Sequence, residues 1–246
     1  MILLTLALLL SACADIPKSS PQYAEMEAAN DPWEPTNREV FDNNDFFDRL
    51  LVRPLAELYR ATVPPGIRDR VADILGNMKE PIVLTNDLLQ GEFDKAGITI
   101  ERFGINTTLG IGGMWDVADE WGLYQQTGDF GQTLASWGVG EGPYLVLPVF
   151  GPSNLRDGIG LSVDILLSPW QYLAYMDSTA TLIRYEAAYL GTDALVRRER
   201  NIETLDVLRA GSIDYYTKMR SAYRQYRGNQ LSDEAAKKPA EFEEIQ

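Results

Sequence analysis

Four groups of residues in this chain have types and spacings that could do chemistry. The first is Trp137–Gly160, WGVGEGPYLVLPVFGPSNLRDGIG, where Gly138, Gly140 and Gly142 alternate before Pro143 and a short apolar run reaches Phe150. Glycine admits backbone angles that other residues avoid, while proline fixes φ and removes a donor. The stretch therefore predicts a shaped, non-helical loop with an apolar tip, and its three glycines can act as a hinge or form a static turn. A phosphate-cradling loop is the competing reading, but such loops run into a helix N-terminus and often a lysine, not into proline and an apolar run. Seven extended residues reach only about 23 Å, and a lone strand leaves its amides unpaired in lipid, so the tip cannot span a bilayer. It can line a groove or dip into one leaflet.

The second group is Asn37, Arg38, Asp42, Asn43 and Asn44, dense polarity on one predicted helix, open to channel lining or to capping and solvation. The third is Arg156 and Asp157, able to contact headgroups or to form a structural ion pair. The fourth is the segment 197–227. Arg197, Arg198, Arg200, Arg209, Lys218, Arg220, Arg224 and Arg227 face only Glu199, Glu203, Asp206 and Asp214 there, a local reversal in a chain of net charge −14. It can dock phosphates or an acidic partner, or it can be a solvated helix face with arginines matched to the dipole.

Composition narrows the chemistry. The chain has no histidine, which removes the usual general base, the Ser-His-Asp and Cys-His systems and histidine-ligated zinc. A carboxylate-only metal site or carboxylate-pair hydrolase is left formally open, but no metal, no cofactor and no enzymatic activity are expected. The net charge argues against nucleic acid and against purely electrostatic attachment to an anionic membrane. The single cysteine, Cys13, ends MILLTLALLLSAC, an apolar secretory segment closing on the lipobox Leu10-Ser11-Ala12-Cys13, although its n-region lacks Lys and Arg. Residues 1–12 are expected to be a lipoprotein signal peptide and Cys13 the acylation point. Two or more acyl chains anchor stably where one does not. Ala14, where aspartate would favour inner-membrane retention, points to the outer membrane.

The elements that must position these groups read as helices. Residues 13–29 form a polar tether, 30–227 the folded domain, and 228–246 a disordered tail. Phe47, Leu50, Leu51, Leu55, Leu58 and Tyr59 recur at helical spacing, with a bend expected at Pro54. A second helix starts after Pro64-Pro65-Gly66 and ends at Pro81, and a third begins at Leu84. Asp94–Thr108, Phe130–Trp137, Leu155–Leu167 and Thr181–Glu203 follow, then one long helix from Leu205 to Tyr226; no strand alternation is evident. No run beyond the signal has eighteen apolar residues, so no helix should cross a membrane. Five tryptophans and 12 tyrosines suit a lipid–water interface, although a soluble helical core with ordinary aromatic packing would carry them too.

Several stretches, in order, carry a resemblance: NDPWEPTNR at Asn30–Arg38, Leu50–Val71, NMKEPIVLTNDLLQG at Asn77–Gly91, RFGINTTLGIGGMWDVA at Arg102–Ala118, the Trp137–Gly160 loop and Leu205–Arg227. Together they resemble the MlaA (VacJ) family of bacterial outer-membrane lipoproteins over nearly the whole mature chain. The resemblance implies an all-α fold, a ring of short amphipathic helices lying in the periplasmic leaflet around a central polar channel. It also implies a function: removing mislocalised phospholipid from the outer leaflet, passing it to a periplasmic lipid-carrier protein, and associating with an outer-membrane trimeric porin. A structural or adhesive envelope lipoprotein without lipid transport is the alternative.

Overall fold

The computed structural model describes residues 20–237. The signal peptide at 1–12, the lipidation residue Cys13, the first part of the tether and residues 238–246 lie outside the described residues. Helix α1 (Pro21–Ala28) begins where the Ser20 hydroxyl accepts from Tyr23 N and Pro21 presets the first turn. It ends at Asn30, whose φ of 49° is the left-handed stop that asparagine tolerates. The end of the expected tether is thus helical, and Met26 is buried.

Helix α2 (Glu34–Phe47), a π turn (Asp48–Val52) and α3 (Arg53–Thr62) follow one another without a break. Pro54 has no N–H to donate, and Arg53 N reaches back five residues to Asp48 O, so a π turn stands where a bend was expected. Helix α4 (Pro65–Gln90) does not end at Pro81 as expected but continues through it to Gly91, φ 76°. The lost bond to the Asn77 carbonyl costs about 3 kcal/mol, which is outweighed by the face that α4 buries against α5 (Phe93–Thr108).

After α5, Gly110–Gly113 make a tight turn onto α6 (Val117–Glu120). Gly113 has φ 87°, and a β-carbon there would lie 2.4 Å from Asn77 Cβ. Gly113→Ala should therefore lower stability by about 2–4 kcal/mol, from left-handed strain plus overpacking. Urea unfolding in detergent measures this, and an unchanged midpoint would refute it. Helix α7 (Phe130–Ser136) starts in a capping box between Asp129 and Gln132.

Two short strands follow, β1 (Tyr144–Leu147) and β2 (Gly151–Asn154), paired antiparallel with Tyr144 opposite Asn154 and Leu147 opposite Gly151. The expected loop is therefore a hairpin. Four-residue strands, one of them GPSN, carry no readable alternation. Its tip is as expected: Val149 is 88% exposed and Phe150 half exposed.

Asn154 caps α8 (Leu155–Leu167), and α9 (Pro169–Asp177), α10 (Thr179–Arg200), α11 (Ile202–Ala210) and α12 (Tyr215–Lys237) complete the chain. The single long helix expected from Leu205 is two, because Gly211 ends one and the Asp214 carboxylate caps the next through Thr217 N at 3.3 Å. The tail expected to be disordered from 228 is helical to Lys237, held locally by Arg227–Gln230 (3.0 Å) and Gln230–Tyr226 (2.9 Å).

The packing closes on itself. Helix α2 touches β1, the hairpin touches α8, α8 packs on α7, α7 on α4, α4 on α10, and α10 returns to α3 and the π turn beside α2. The result is an all-α ring of short helices with one hairpin inserted. Its last seam is ionic: Asp48–Arg198 (2.7 Å), Arg53–Asp206 (2.9 Å), Arg60–Glu199 (2.8 Å) and Asp45–Arg209. The clearest apolar cluster, Phe41, Tyr144, Val146 and Tyr216, sits where α2, the hairpin and α12 meet. No helix among the described residues is long and apolar enough to cross a membrane.

Candidate functional site: an inside-out ring with a clasped hairpin

Helix α2 presents Asn37 and Asn44 seven residues apart, two turns on one face, about 10.5 Å along the axis. Three residues of strand advance about 10 Å, so the two amides can meet the outer edge of β1 as a third strand would. They do. Asn37 Nδ2 donates to Tyr144 O (3.1 Å) and to Asp31 Oδ1 (2.8 Å), while its Oδ1 accepts from Val146 N (2.9 Å). Asn44 Nδ2 donates to Leu147 O (2.9 Å), and its Oδ1 accepts from Val149 N (2.9 Å). Val149 is held at φ 71°, costly for a β-branched residue, at the point that Asn44 grips.

The other members of that polar group do not join the clasp. Arg38 ties α2 to the start of α12, pairing with Glu34 (2.8 Å) and Asp214 (2.6 Å). Asp42 and Asn43 are exposed. The three glycines of the approach also differ. Gly142 O accepts from Asn30 Nδ2 at 2.8 Å, and a β-carbon on Gly142 would stand 3.0 Å from Leu155 Cβ. Glu141 is held by Arg224 at 3.0 Å. Gly138 (φ 87°) and Gly140 have open space around them. The hairpin base is thus pinned, and the approach to it is tied to the end of α7 by Gly138 N to Ala135 O and Val139 N to Leu134 O, 2.9 Å each.

Arg156 and Asp157 lie 2.9 Å apart in a buried node rather than on an open surface. Asp157 also accepts from the Tyr223 hydroxyl (2.6 Å) and Arg227 Nε (2.9 Å), and Arg227 bridges on to Asp129 at 2.6 Å. Burial works against the Asp157 carboxylate, but Arg227, Tyr223 and Arg156 hold its pKa below the usual range. The basic surplus of 197–227 is largely paired within the chain, most weakly at Arg200, which meets Asp69 only at 4.0 Å. Its seven arginines pair with Asp193, Asp48, Asp69, Asp45, Asp31 and Glu34, Glu141, and Asp129 with Asp157.

The residues that sequence reasoning missed are polar and interior. Arg102 is 2% exposed and bonds the 1%-exposed Glu80 (3.1 Å), Asp116 (2.8 Å) and Leu123 O. Asn86 joins Asp164 (2.8 Å) to Thr133 (2.8 Å), and Thr99 donates to Asp87 at 2.8 Å. Burial pushes the Glu80, Asp87 and Asp164 carboxyls above their ordinary pKa. Glu80 and Asp87 stand seven apart, two turns along one helix face, on either side of the apolar run Pro81–Leu84, a signal that was available. No group of three metal-ligating side chains occurs among the described residues.

Outside, the pattern inverts. Phe46, Phe47, Leu50, Leu51, Leu55 and Leu58 along α2, the π turn and α3 are all exposed, as are Phe93 and Ile100 on α5 and Leu155, Ile159 and Leu166 on α8. Among the described residues, large apolar side chains are more often exposed than buried, and buried side chains are more often polar than apolar. A water-soluble fold does the reverse, and exposed patches of this extent mark an apolar neighbour.

Fold and surface together define a class: a helical ring, polar within, that turns its large apolar side chains outward toward an apolar neighbour. The chain belongs to the MlaA lipoprotein family, whose model matches residues 29–230. It is 34% identical over 209 residues to an intermembrane phospholipid transport system lipoprotein of Shigella flexneri, covering 82% of this chain and 78% of the relative. The counterpart from Haemophilus influenzae is 32% identical over 225 residues, 89% and 84% of the two chains. An uncharacterized protein of Rickettsia bellii is 37% identical over 198 residues, 80% and 75%. A solved chain presented as a structural basis for maintenance of bacterial outer membrane lipid asymmetry matches with a TM-score of 0.70 and 32% identity. That match covers 82% of this chain and 98% of the solved one.

Proposed function

We propose that this protein removes mislocalised phospholipids from the outer leaflet of the outer membrane through the polar middle of its ring and passes them to a periplasmic lipid carrier. Cys13 carries the lipid anchor, the ring rests in the periplasmic leaflet, and a trimeric porin holds it in place. The inside-out distribution of side chains is the observation that carries this reading. A charged headgroup cannot cross hydrocarbon unpaired without a large cost, whereas a polar interior lowers that cost and an apolar exterior leaves the acyl tails in lipid. The chemistry is solvation, with no bond made or broken. The ring is a passive conduit, and the downstream acceptor sets the direction of flow. Relatives named for phospholipid transport support the same reading.

The belt on α2, the π turn and α3 supplies the membrane affinity, each buried leucine contributing about 1.5–3 kcal/mol. A strain lacking the protein should accumulate phospholipid in its outer leaflet and become detergent-sensitive. Wild type should correct this, and neither Cys13→Ala nor the pair Leu51→Asp and Leu58→Asp should. Normal leaflet asymmetry in the deletant would instead leave a structural or adhesive role.

A further inference from the structure

Between α4 and α10 lies a cavity of about 220 Å³. Ala72, Gly76, Lys79 and Val83 of α4 form one wall, Asp193, Arg197 and Arg200 of α10 the other, and Gln125–Thr127 close one side. The volume far exceeds the ~10–15 Å³ that admits one water and falls short of the ~300–1,000 Å³ that engulfs a drug-sized ligand. It fits a headgroup rather than a whole lipid.

The charges are unbalanced. Lys79, Arg197 and Arg200 face a single lining carboxylate, Asp193, which Arg197 already engages at 2.6 Å. Arg200 reaches Asp69, outside the cavity, only at 4.0 Å. Lys79 makes no hydrogen bond or ion pair among the described residues; burial and then Arg197 lower its pKa, against the weaker opposing pull of Asp129, Asp193 and Asp164. Lys79 is half-buried, and an ammonium partly stripped of water without a hydrogen-bond partner gains when an anion arrives beside it. The same walls are apolar at Ala72, Leu75, Val83 and Val196, which free inorganic phosphate does not need and an acyl-glycerol backbone does.

We infer that this cavity is a binding site for the phosphodiester of a phospholipid headgroup, with Lys79 as its central ligand and Arg197 and Arg200 at its mouth. The inference rests on the transport reading above and gives the conduit a stopping place for the charged group.

The full chain in non-ionic detergent is titrated calorimetrically with short-chain phosphatidylglycerol, with inorganic phosphate and with a neutral diacylglycerol of equal chain length. Phosphatidylglycerol should bind best, Lys79→Met should weaken it by about tenfold or more, as loss of a charge-assisted contact does, and Lys79→Arg should retain it. Lys218→Met, remote from the cavity lining, serves as the charge-matched control and should bind as wild type does. Equal binding by Lys79→Met and wild type overturns the site and leaves transport standing. Equal binding of diacylglycerol, or of inorganic phosphate, overturns the phosphodiester assignment. No lipid binding by wild type removes the transport reading along with the site.

Discussion

Arg102→Leu should cost the fold about 3–5 kcal/mol, because it leaves the buried Glu80 carboxylate without its cation. Asp116 and the Leu123 carbonyl lose a partner in the same step, and Asp116 keeps only Asn106 Nδ2 at 2.9 Å and Asp119 N at 3.1 Å. Against a total stability of about 5–15 kcal/mol, this is enough to populate the unfolded state. At about 2–4 °C per kcal/mol for a chain this size, the melting temperature in detergent should fall by roughly 10 °C. Arg102→Lys should not rescue, since a point charge cannot serve three acceptors in a planar fork. The double change Arg102→Leu with Glu80→Leu should recover much of the loss, because replacing both ions by apolar groups removes both desolvation costs. If Arg102→Leu melts within a degree of wild type, the node does not hold α4 to α5 and α6.

The second large effect is expected at the clasp. Asn37→Asp keeps the oxygen that Val146 N needs but loses the amide protons bound to Tyr144 O and Asp31. It also sets a carboxylate 2.8 Å from the Asp31 oxygen that the amide now meets. Repulsion adds to the loss, so Asn37→Asp should be worse than Asn37→Ala. Asn37→Ala leaves buried backbone groups unpaired, at about 1–3 kcal/mol each. The amide of Val146 should exchange with solvent much faster in both variants, and neither should restore leaflet asymmetry to a deletion strain. Asn44→Ala should free the tip alone, exposing the Val149 amide while leaving Val146 protected. Wild-type protection of Val146 in Asn37→Asp would mean that β2 and the apolar cluster hold the hairpin without α2.

Much was legible before any coordinates. The apolar spacing of Phe47, Leu51, Leu55 and Leu58 marked a helix, Pro54 marked the irregularity that is a π turn, and the apolar run Tyr144–Phe150 marked a tip that is exposed only at its Val149-Phe150 end, because each is a local property of a few neighbouring residues. Pro81 misled, since proline's penalty is local while the α4–α5 packing that overrides it comes from a distant helix. Asp214 and Gly211, which split the last helix, lay in plain view but were outvoted by the apolar period around them.

The amphipathic pattern says that a helix has two unlike faces but not which of them turns inward. Sequence alone therefore established helices, their approximate ends, an acidic chain without histidine, and a family likeness. Only the tertiary structure decided that Arg102, Glu80, Asn86 and Asp87 face the interior while the leucines face out. That choice depends on which distant groups can satisfy a buried charge. Asn37 and Asn44 read as one polar helix face until a strand more than a hundred residues later supplies the backbone edge that they complete.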